Sequence, residues 1–406
     1  MPEILLRDLD LPADLTDPSV FRAVNRSALE LAEREPEVAR LAELELQLAR
    51  AGEEAPVLAQ LAVKLAKSRR LVDALEGPVF VSVVFAVFRE HRRILPRDLD
   101  PHGEDFLRRK MSQLEWLFGG RADFGWELVV VDDGCPEGSG RLAAEMIAAQ
   151  GWESRGRVLF LEDGIAAGAP ATAPLQSAAE SQKGGAVIYG MADAAAARRA
   201  RHVVAFTDAD LSTHLGQLGL LLDPILRGGA LAAIGSRREP TSVVIKGGSR
   251  NDRGKLFIYL WKQLLPQLGG IIDTQCGFKA FDARVLPEML PRVAERRFAF
   301  DIELLLRTEL LRPGSVARAA VAWIDSEAAS TTTEIQPYLP MLKAVAGMYR
   351  RLLPPTPQSD RYAELIEGLD EPAWQRMLED IPPEIAQADP SELGVSFHFL
   401  KKDGAS

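Results

Sequence analysis

The feature that most constrains this chain is the texture of residues 79–240, where short runs rich in Val, Ile and Phe alternate with longer helical stretches. The runs fall at 79–88, 127–131, 157–161, 203–207 and 230–234, and they are mainly apolar, as strands buried on both faces must be. Between them lie helical stretches at 105–118, 141–150, 186–199 and 215–227. Strand–helix alternation makes crossover connections, so the pattern predicts an α/β fold, a mostly parallel sheet with helices on both faces. In an open sheet of this kind, ligands bind outside the carboxyl ends of the strands.

The chemistry-bearing residues sit at those ends. Val129-Val130-Val131 runs into Asp132-Asp133-Gly134, and Val203-Val204-Ala205-Phe206-Thr207 runs into Asp208-Ala209-Asp210. Asp208 and Asp210 are one residue apart and share a face of an extended segment. Hard oxygen ligands at that spacing suit Mg²⁺ or Mn²⁺, with substrate phosphates completing the shell. Asp also ends strands and caps helices, so one cluster alone would read as a turn. Two of them at two strand ends favour a site. Lys183 with Gly184-Gly185 permits close backbone approach to a ligand and adds a cation. Arg237, Lys246, Arg250 and Arg253 form a basic run, and Arg recognises phosphate or carboxylate with a planar, bidentate fork. Asp301 and Glu303 stand at the start of a helical stretch, where Asp is also a preferred cap, and Asp273 precedes them. His214 follows closely behind Asp210 and reads as a cap or surface residue rather than a phosphate contact.

Around this middle region the texture changes. Residues 1–76 carry stripes such as Leu41, Leu44, Leu48 and Leu58, Leu61, Leu65, interrupted by Pro36 and Pro56. About three short helices are expected there, packed on the main domain or on a second copy, and no motif residue lies among them. The segment 164–182 reads as a long loop, 256–268 as a helix and 316–323 as a strand. After 334, prolines and short helical stretches at 341–352 and 371–378 predict a packed tail. The expected organisation is therefore 1–76, 77–333 and 334–406, which suits a length of 406 residues. A net charge of −10 argues against broad nucleic-acid binding. Two cysteines, Cys135 and Cys276, leave no disulfide framework or Cys-rich zinc site. The most apolar run, 79–88, is about half a membrane helix, so no transmembrane segment is expected and the reading is a soluble, cytoplasmic protein.

Four segments resemble family-two glycosyltransferases: Ser82-Val83-Val84-Phe85-Ala86-Val87-Phe88-Arg89-Glu90, Asp132-Asp133-Gly134, Lys183-Gly184-Gly185-Ala186-Val187 with Gly190-Met191, and Asp208-Ala209-Asp210. Gly235-Ser236-Arg237, Asp273-Thr274-Gln275-Cys276-Gly277-Phe278-Lys279 and Phe298-Ala299-Phe300-Asp301-Ile302-Glu303 resemble the dolichyl- and polyprenyl-phosphate glucosyl- and mannosyltransferase branch. The resemblance covers about residues 79–330. It departs at Ala86-Val87-Phe88-Arg89-Glu90, where the family usually has Pro-Ala-Tyr-Asn-Glu, and at Cys135, where it usually has Ser.

The resemblance implies a GT-A (Rossmann-like), mostly parallel sheet flanked by helices, with an N-terminal helical extension and a C-terminal helical tail. It implies metal-dependent, inverting transfer of a hexose from a nucleotide diphosphate sugar to an anionic hydroxyl or phosphate acceptor. Phe88, Glu90, Asp132, Asp133, Lys183, Asp208 and Arg237 would then serve the donor, and Asp208 with Asp210 the Mg²⁺ or Mn²⁺. Lys246, Arg250 and Arg253 would grip the acceptor, and Asp301 or Glu303, with Asp273 as the rival, would be the catalytic general base for a hydroxyl acceptor. Two alternatives stay open: a retaining enzyme similar to glucosyl-phosphoglycerate synthases, with a small acid acceptor, and a non-catalytic nucleotide-sugar-binding scaffold. A homo-oligomer through the N-terminal helices is compatible with either.

Overall fold

The computed structural model describes residues 9–245, 251–325 and 337–393. Among these residues nine strands form two sheets: β1 Val79–Val87, β2 Phe124–Asp132, β3 Gly156–Phe160, β4 His202–Thr207, β5 Ala232–Ser236, β6 Val243–Ile245, β7 Phe278–Asp282, β8 Val316–Ala320 and β9 Ala322–Ile324. Seven of them make the central sheet in the order β3-β2-β1-β4-β7-β5-β8, and β6 pairs with β9. The pairs β1–β2, β1–β4, β2–β3 and β5–β8 are parallel. Strand β7 is antiparallel to both its neighbours, β4 and β5.

That inserted strand was not expected from the sequence, because Lys279 and Asp282 interrupt its apolar character. It matters for the site. Phe278 pairs with Thr207, the last residue of β4, so the segment leading into β7 arrives beside the acidic turn that leaves β4. The strand expected at 316–323 splits in two. Val321 donates its N–H to the Ser236 carbonyl, whereas Ala322 is held on both sides by Gln217, whose Oε1 accepts from its N–H (2.8 Å) and whose Nε2 donates to its carbonyl (2.9 Å). A side chain thus takes over the ladder, and β9 turns into the second sheet.

Side chains alternate along β1 between the two faces. Val81, Val83 and Phe85 pack with helices Phe106–Phe118 and Ser139–Ala149, while Val84 packs with Gly184–Ala196 and Asn251–Leu264. Gly190 allows the closest of these approaches: a Cβ there would lie 2.6 Å from both Val84 and Val131. The expected loop at 164–182 is compact, with Ala171, Leu175 and Ala178 buried in the core behind Lys183. Helices Tyr338–Leu352, Pro357–Gly368 and Glu371–Glu379 bury Leu342, Tyr362 and Trp374 in the same core, and the Tyr259 and Tyr362 hydroxyls meet at 2.6 Å.

Among the described residues three α-helices precede the sheet, α1 Pro18–Arg34, α2 Val38–Ala51 and α3 Val57–Asp73, separated at the expected prolines. Their core includes Val243, Ala322 and Ile324 of the second sheet, so they are part of the same packed body. Ser68 on α3 accepts the Gly219 N–H at 2.8 Å. Glu45 on α2 is a buried hub, pairing with Lys64 and Lys67 and accepting from Thr241 Oγ1 at 3.0 Å. Among the described residues no helix is long and apolar enough to cross a membrane.

Candidate active site

The carboxyl ends of β1, β2 and β4 meet the start of β7. Leaving β4, the chain turns through Asp208-Ala209-Asp210. The Asp208 carboxylate is clamped: the Lys183 ammonium pairs with Oδ1, and the Gly277 backbone lies so close that a Cβ there would be 2.3 Å from Oδ2. Burial works against the charge on Asp208, but the ammoniums of Lys183, Lys110 and Lys279 hold its carboxyl below the usual range. Asp210 Oδ1 accepts from Ser212 N (3.0 Å) and Oγ (2.6 Å). Its carbonyl accepts from Lys110 Nζ at 2.7 Å. Lys110 is fully buried, with its ammonium 5.5 Å from the Phe85 ring centre, and burial pushes it down to about 8.

The turn that carries Lys183 is pinned from behind. Lys183 has a φ of 77° and donates its N–H to Asp133 Oδ2 at 2.7 Å. Gln182 and Gly185 both donate to the Arg296 carbonyl, at 3.3 and 2.9 Å. At Gly184 a Cβ would lie 2.5 Å from the Arg297 carbonyl oxygen, so glycine is required there by close approach.

Asp132 and Asp133 are adjacent yet do different things. Asp132 accepts from Cys135 N and Gly140 N, both at 2.7 Å, and so holds the turn after β2. Asp133 Oδ1 and the neighbouring Ser181 Oγ are both buried and neither makes a well-formed hydrogen bond, and burial pushes the Asp133 carboxyl up to about 6 against the opposing pull of Ser181 and the Lys183 N–H. An orphaned buried oxygen at the mouth of a site is a place for a ligand's donor group. At the end of β1, Phe88 is 48% exposed with the Arg89 guanidinium 5.4 Å from its ring centre. Glu90 pairs with Arg93 at 3.0 Å, and Arg93 also pairs with Glu104 at 3.1 Å. Burial, with the neighbouring charges of Asp210 and Glu104, pushes Glu90 up to about 7 in spite of Arg93.

On the β7 side, Asp273 receives Arg237 three times: the backbone N–H (2.8 Å), Nε (2.8 Å) and Nη2 (2.9 Å). Although Asp273 is buried, Arg237 holds its carboxyl well below the ordinary carboxylate range, which makes it a poor base. The Arg237 guanidinium stands 5.5 Å from the Trp323 ring centre. Asp301 accepts from Gln275 Nε2 (2.8 Å) and Lys279 Nζ (3.0 Å), and burial keeps its carboxyl above the usual value despite Lys279. Glu303 does not join the cluster. Its fully buried carboxylate accepts from Ala294 N (3.1 Å), Glu295 N (2.8 Å) and Arg307 Nε (2.9 Å), and so secures the loop that carries Arg296.

Arg253 is exposed near the start of helix Asn251–Leu264. Lys246 and Arg250 lie outside the described residues. His214 is a buried cap: its Nδ1 accepts from Gly216 N at 2.9 Å, its ring stacks on Phe21 at 5.4 Å, and burial pushes it down to about 3. Lys110, Lys279 and Arg296 are the participants that sequence reasoning passed over, since a lone cation in sequence reads as solvated surface.

Among the described residues no group of three or more His, Cys, Asp or Glu side chains is placed to hold a metal ion. Asp208 and Asp210 offer two carboxylates, which fits Mg²⁺ or Mn²⁺ bound through one or two carboxylates and substrate phosphates rather than in an all-protein cage.

The site is thus a mostly parallel sheet with one antiparallel strand set beside an acidic turn, with Lys183 paired to that turn and Asp133 holding the Lys183 backbone. By sequence the chain is a homologue of glycosyltransferases. It is 28% identical over 260 residues to glycosyltransferase AglD of Haloferax volcanii, covering 63% of this chain and 35% of that one. It is 29% identical over 261 residues to a dolichyl-phosphate beta-glucosyltransferase of Drosophila melanogaster, covering 62% and 69%. The chain thus spans about a third of the length of AglD. Among solved structures, a mannosyltransferase of Pyrobaculum calidifontis in complex with GDP-Man and Mn²⁺ aligns with a TM-score of 0.32 at 12% identity, over 86% of this chain and 94% of that one. The S. aureus TarS 1-349 structure aligns with a TM-score of 0.35 at 11% identity, over 75% and 72%. No family model matches the chain.

Proposed function

We propose that the protein transfers a hexose from a nucleotide diphosphate sugar to a polyprenyl-phosphate type of acceptor, with a divalent cation held by Asp208 and Asp210. The observation that carries this reading is the convergence of Asp208, Asp210, Lys183 and the Asp133 oxygen without a well-formed hydrogen bond at the carboxyl edge of β2 and β4. The names of the dolichyl-phosphate glucosyltransferases point to the acceptor class.

In this reading an acceptor oxygen bonds to the anomeric carbon while the bond from that carbon to the diphosphate oxygen breaks. The electron pair leaves with the nucleoside diphosphate, and one displacement inverts the centre. A divalent cation, when bound, supplies neutralisation of the departing diphosphate. Lys183 adds a positive charge on the same side. Asp133 accepts a hydrogen bond from the nucleoside, and Phe88 offers it an apolar face. Arg237, held by Asp273 against Trp323, presents its remaining surface to the donor. An ionised phosphate acceptor brings its own nucleophile and needs no base; Arg253, with Lys246 and Arg250, is suited to receive that anion. For a hydroxyl acceptor, Asp301 is the better proton acceptor, because its carboxyl stands above the usual value whereas that of Asp273 stands below it.

The test is incubation with UDP-, GDP-, ADP- and dTDP-sugars, Mn²⁺ and dolichyl phosphate. Release of nucleotide that depends on both metal and acceptor is expected, with an inverted product by NMR. Retention of configuration would point to the retaining alternative, and no release from any donor would refute the assignment.

A further inference from the structure

We propose that Lys183 is a resident cation of the carboxylate pair, holding Asp208 until a divalent ion arrives and then transferring its ammonium to the donor diphosphate. This rests on the metal-dependent reading above and adds an order of events to it.

Among the described residues three ammoniums, those of Lys183, Lys110 and Lys279, act on Asp208, and of these Lys183 has the freedom to move. Lys110 is fully buried and tied to the Asp210 carbonyl. Lys279 is fully buried and tied to Asp301 and the Cys276 carbonyl. Lys183, in contrast, has a side chain 32% exposed and pairs with an Asp208 side chain 29% exposed. Its backbone is fixed by the Asp133 contact and by the bonds of its neighbours to Arg296, so motion is confined to the long side chain. Lys183 is paired with Oδ1, and the Gly277 backbone lies against the whole carboxylate, a Cβ there falling 2.3 Å from Oδ2 and 2.4 Å from Oδ1, so a second cation must approach Asp208 from the side on which the ammonium sits. A divalent ion shared between Asp208 and Asp210 therefore competes with Lys183 for the same carboxylate. Once displaced, the ammonium lies one side-chain length from the fixed turn, beside the acidic edge where the diphosphate would bring new negative charge.

The consequence is unusual for a cationic site residue: removing it should strengthen metal binding in the absence of nucleotide. The experiment is Mn²⁺ titration of the full chain, read by the EPR signal of free Mn²⁺. Lys183→Met and Lys183→Gln should each bind Mn²⁺ about tenfold more tightly than wild type, the scale expected for removing one partly exposed competing charge. Lys183→Arg, which keeps the charge, should stay near wild type. With pyrophosphate added, the order should reverse, the Met and Gln variants binding Mn²⁺-pyrophosphate more weakly than wild type. Equal or weaker Mn²⁺ affinity in both neutral variants overturns the proposal. If Asp210→Asn nevertheless abolishes Mn²⁺ binding in that case, the metal-dependent function stands without it. Absence of Mn²⁺ binding in every protein, with and without pyrophosphate, overturns both.

Discussion

Replacing Gly277 by Ala puts one methyl group into the tightest contact of the site. The new Cβ would lie 2.3 Å from Asp208 Oδ2, 2.4 Å from Oδ1 and 2.5 Å from Cγ, whereas ordinary contact begins at 3.4 Å. The carboxylate must therefore retreat by about 1 Å, since the opposing atoms are the end of a side chain and not backbone. Folding should suffer modestly, by about 1–3 kcal/mol, the usual cost of one extra methyl group in a packed place. Function should suffer more. A displaced Asp208 loses its alignment with Asp210 and Lys183, and a misplacement of about 1 Å at a reacting centre costs on the order of a hundredfold in rate. The measurement pairs a thermal melt with turnover of the nucleotide sugar that most stabilises the wild type. A cooperative melt with turnover reduced about a hundredfold is expected. Turnover within about threefold of wild type would refute the idea that the Gly277 contact sets the Asp208 geometry.

Other perturbations follow the same logic. Asp210→Asn should abolish the Mn²⁺-dependent part of the thermal shift given by nucleotide sugars, and an unchanged shift would count against a metal on that residue. Glu90 is protonated more readily when folded than its ordinary value of 4.5 allows, with a folded value of about 7, so its contribution to stability is full below the lower value and lost as pH rises through the upper one. Glu90→Gln removes that loss, and its melting temperature should gain on wild type between about pH 5 and about pH 8; a constant gap would show that Glu90 does not titrate in this range. A chain starting at Gly77 would lose the Ser68 cap on Gly219, the Phe21 stack on His214 and the core shared with Val243, Ala322 and Ile324. It should be insoluble or melt without cooperativity, and a soluble, fully active product would show that the helices are dispensable. Glu45→Ala leaves two ammoniums facing each other without their counterion and should cost about 3–5 kcal/mol by denaturant unfolding.

What the sequence alone determined here is whatever depends on near neighbours. Apolar runs ending in Asp mark the carboxyl ends of β2 and β4 because strand burial and turn chemistry are both local. Pro36 and Pro56 divide the N-terminal helices because a missing N–H and a ring clash need no tertiary partner. What the tertiary structure decided depends on which elements meet. Strand β7, with Lys279 and Asp282 in it, carries no strand signature of its own, yet its antiparallel insertion brings Asp273, Gln275 and Gly277 to the acidic turn. Asp301 and Glu303 look equivalent in sequence, but two residues along a helix of 3.6 residues per turn point to nearly opposite sides, so one meets Lys279 and the other braces the preceding loop that carries Arg296. Asp132 and Asp133 divide in the same way, one spent on its own turn and the other left with an oxygen that makes no well-formed hydrogen bond. The charge of Lys110 is written in the sequence, but its burial beneath Asp210 comes from how helix Phe106–Phe118 packs against the sheet, and only long-range packing specifies that.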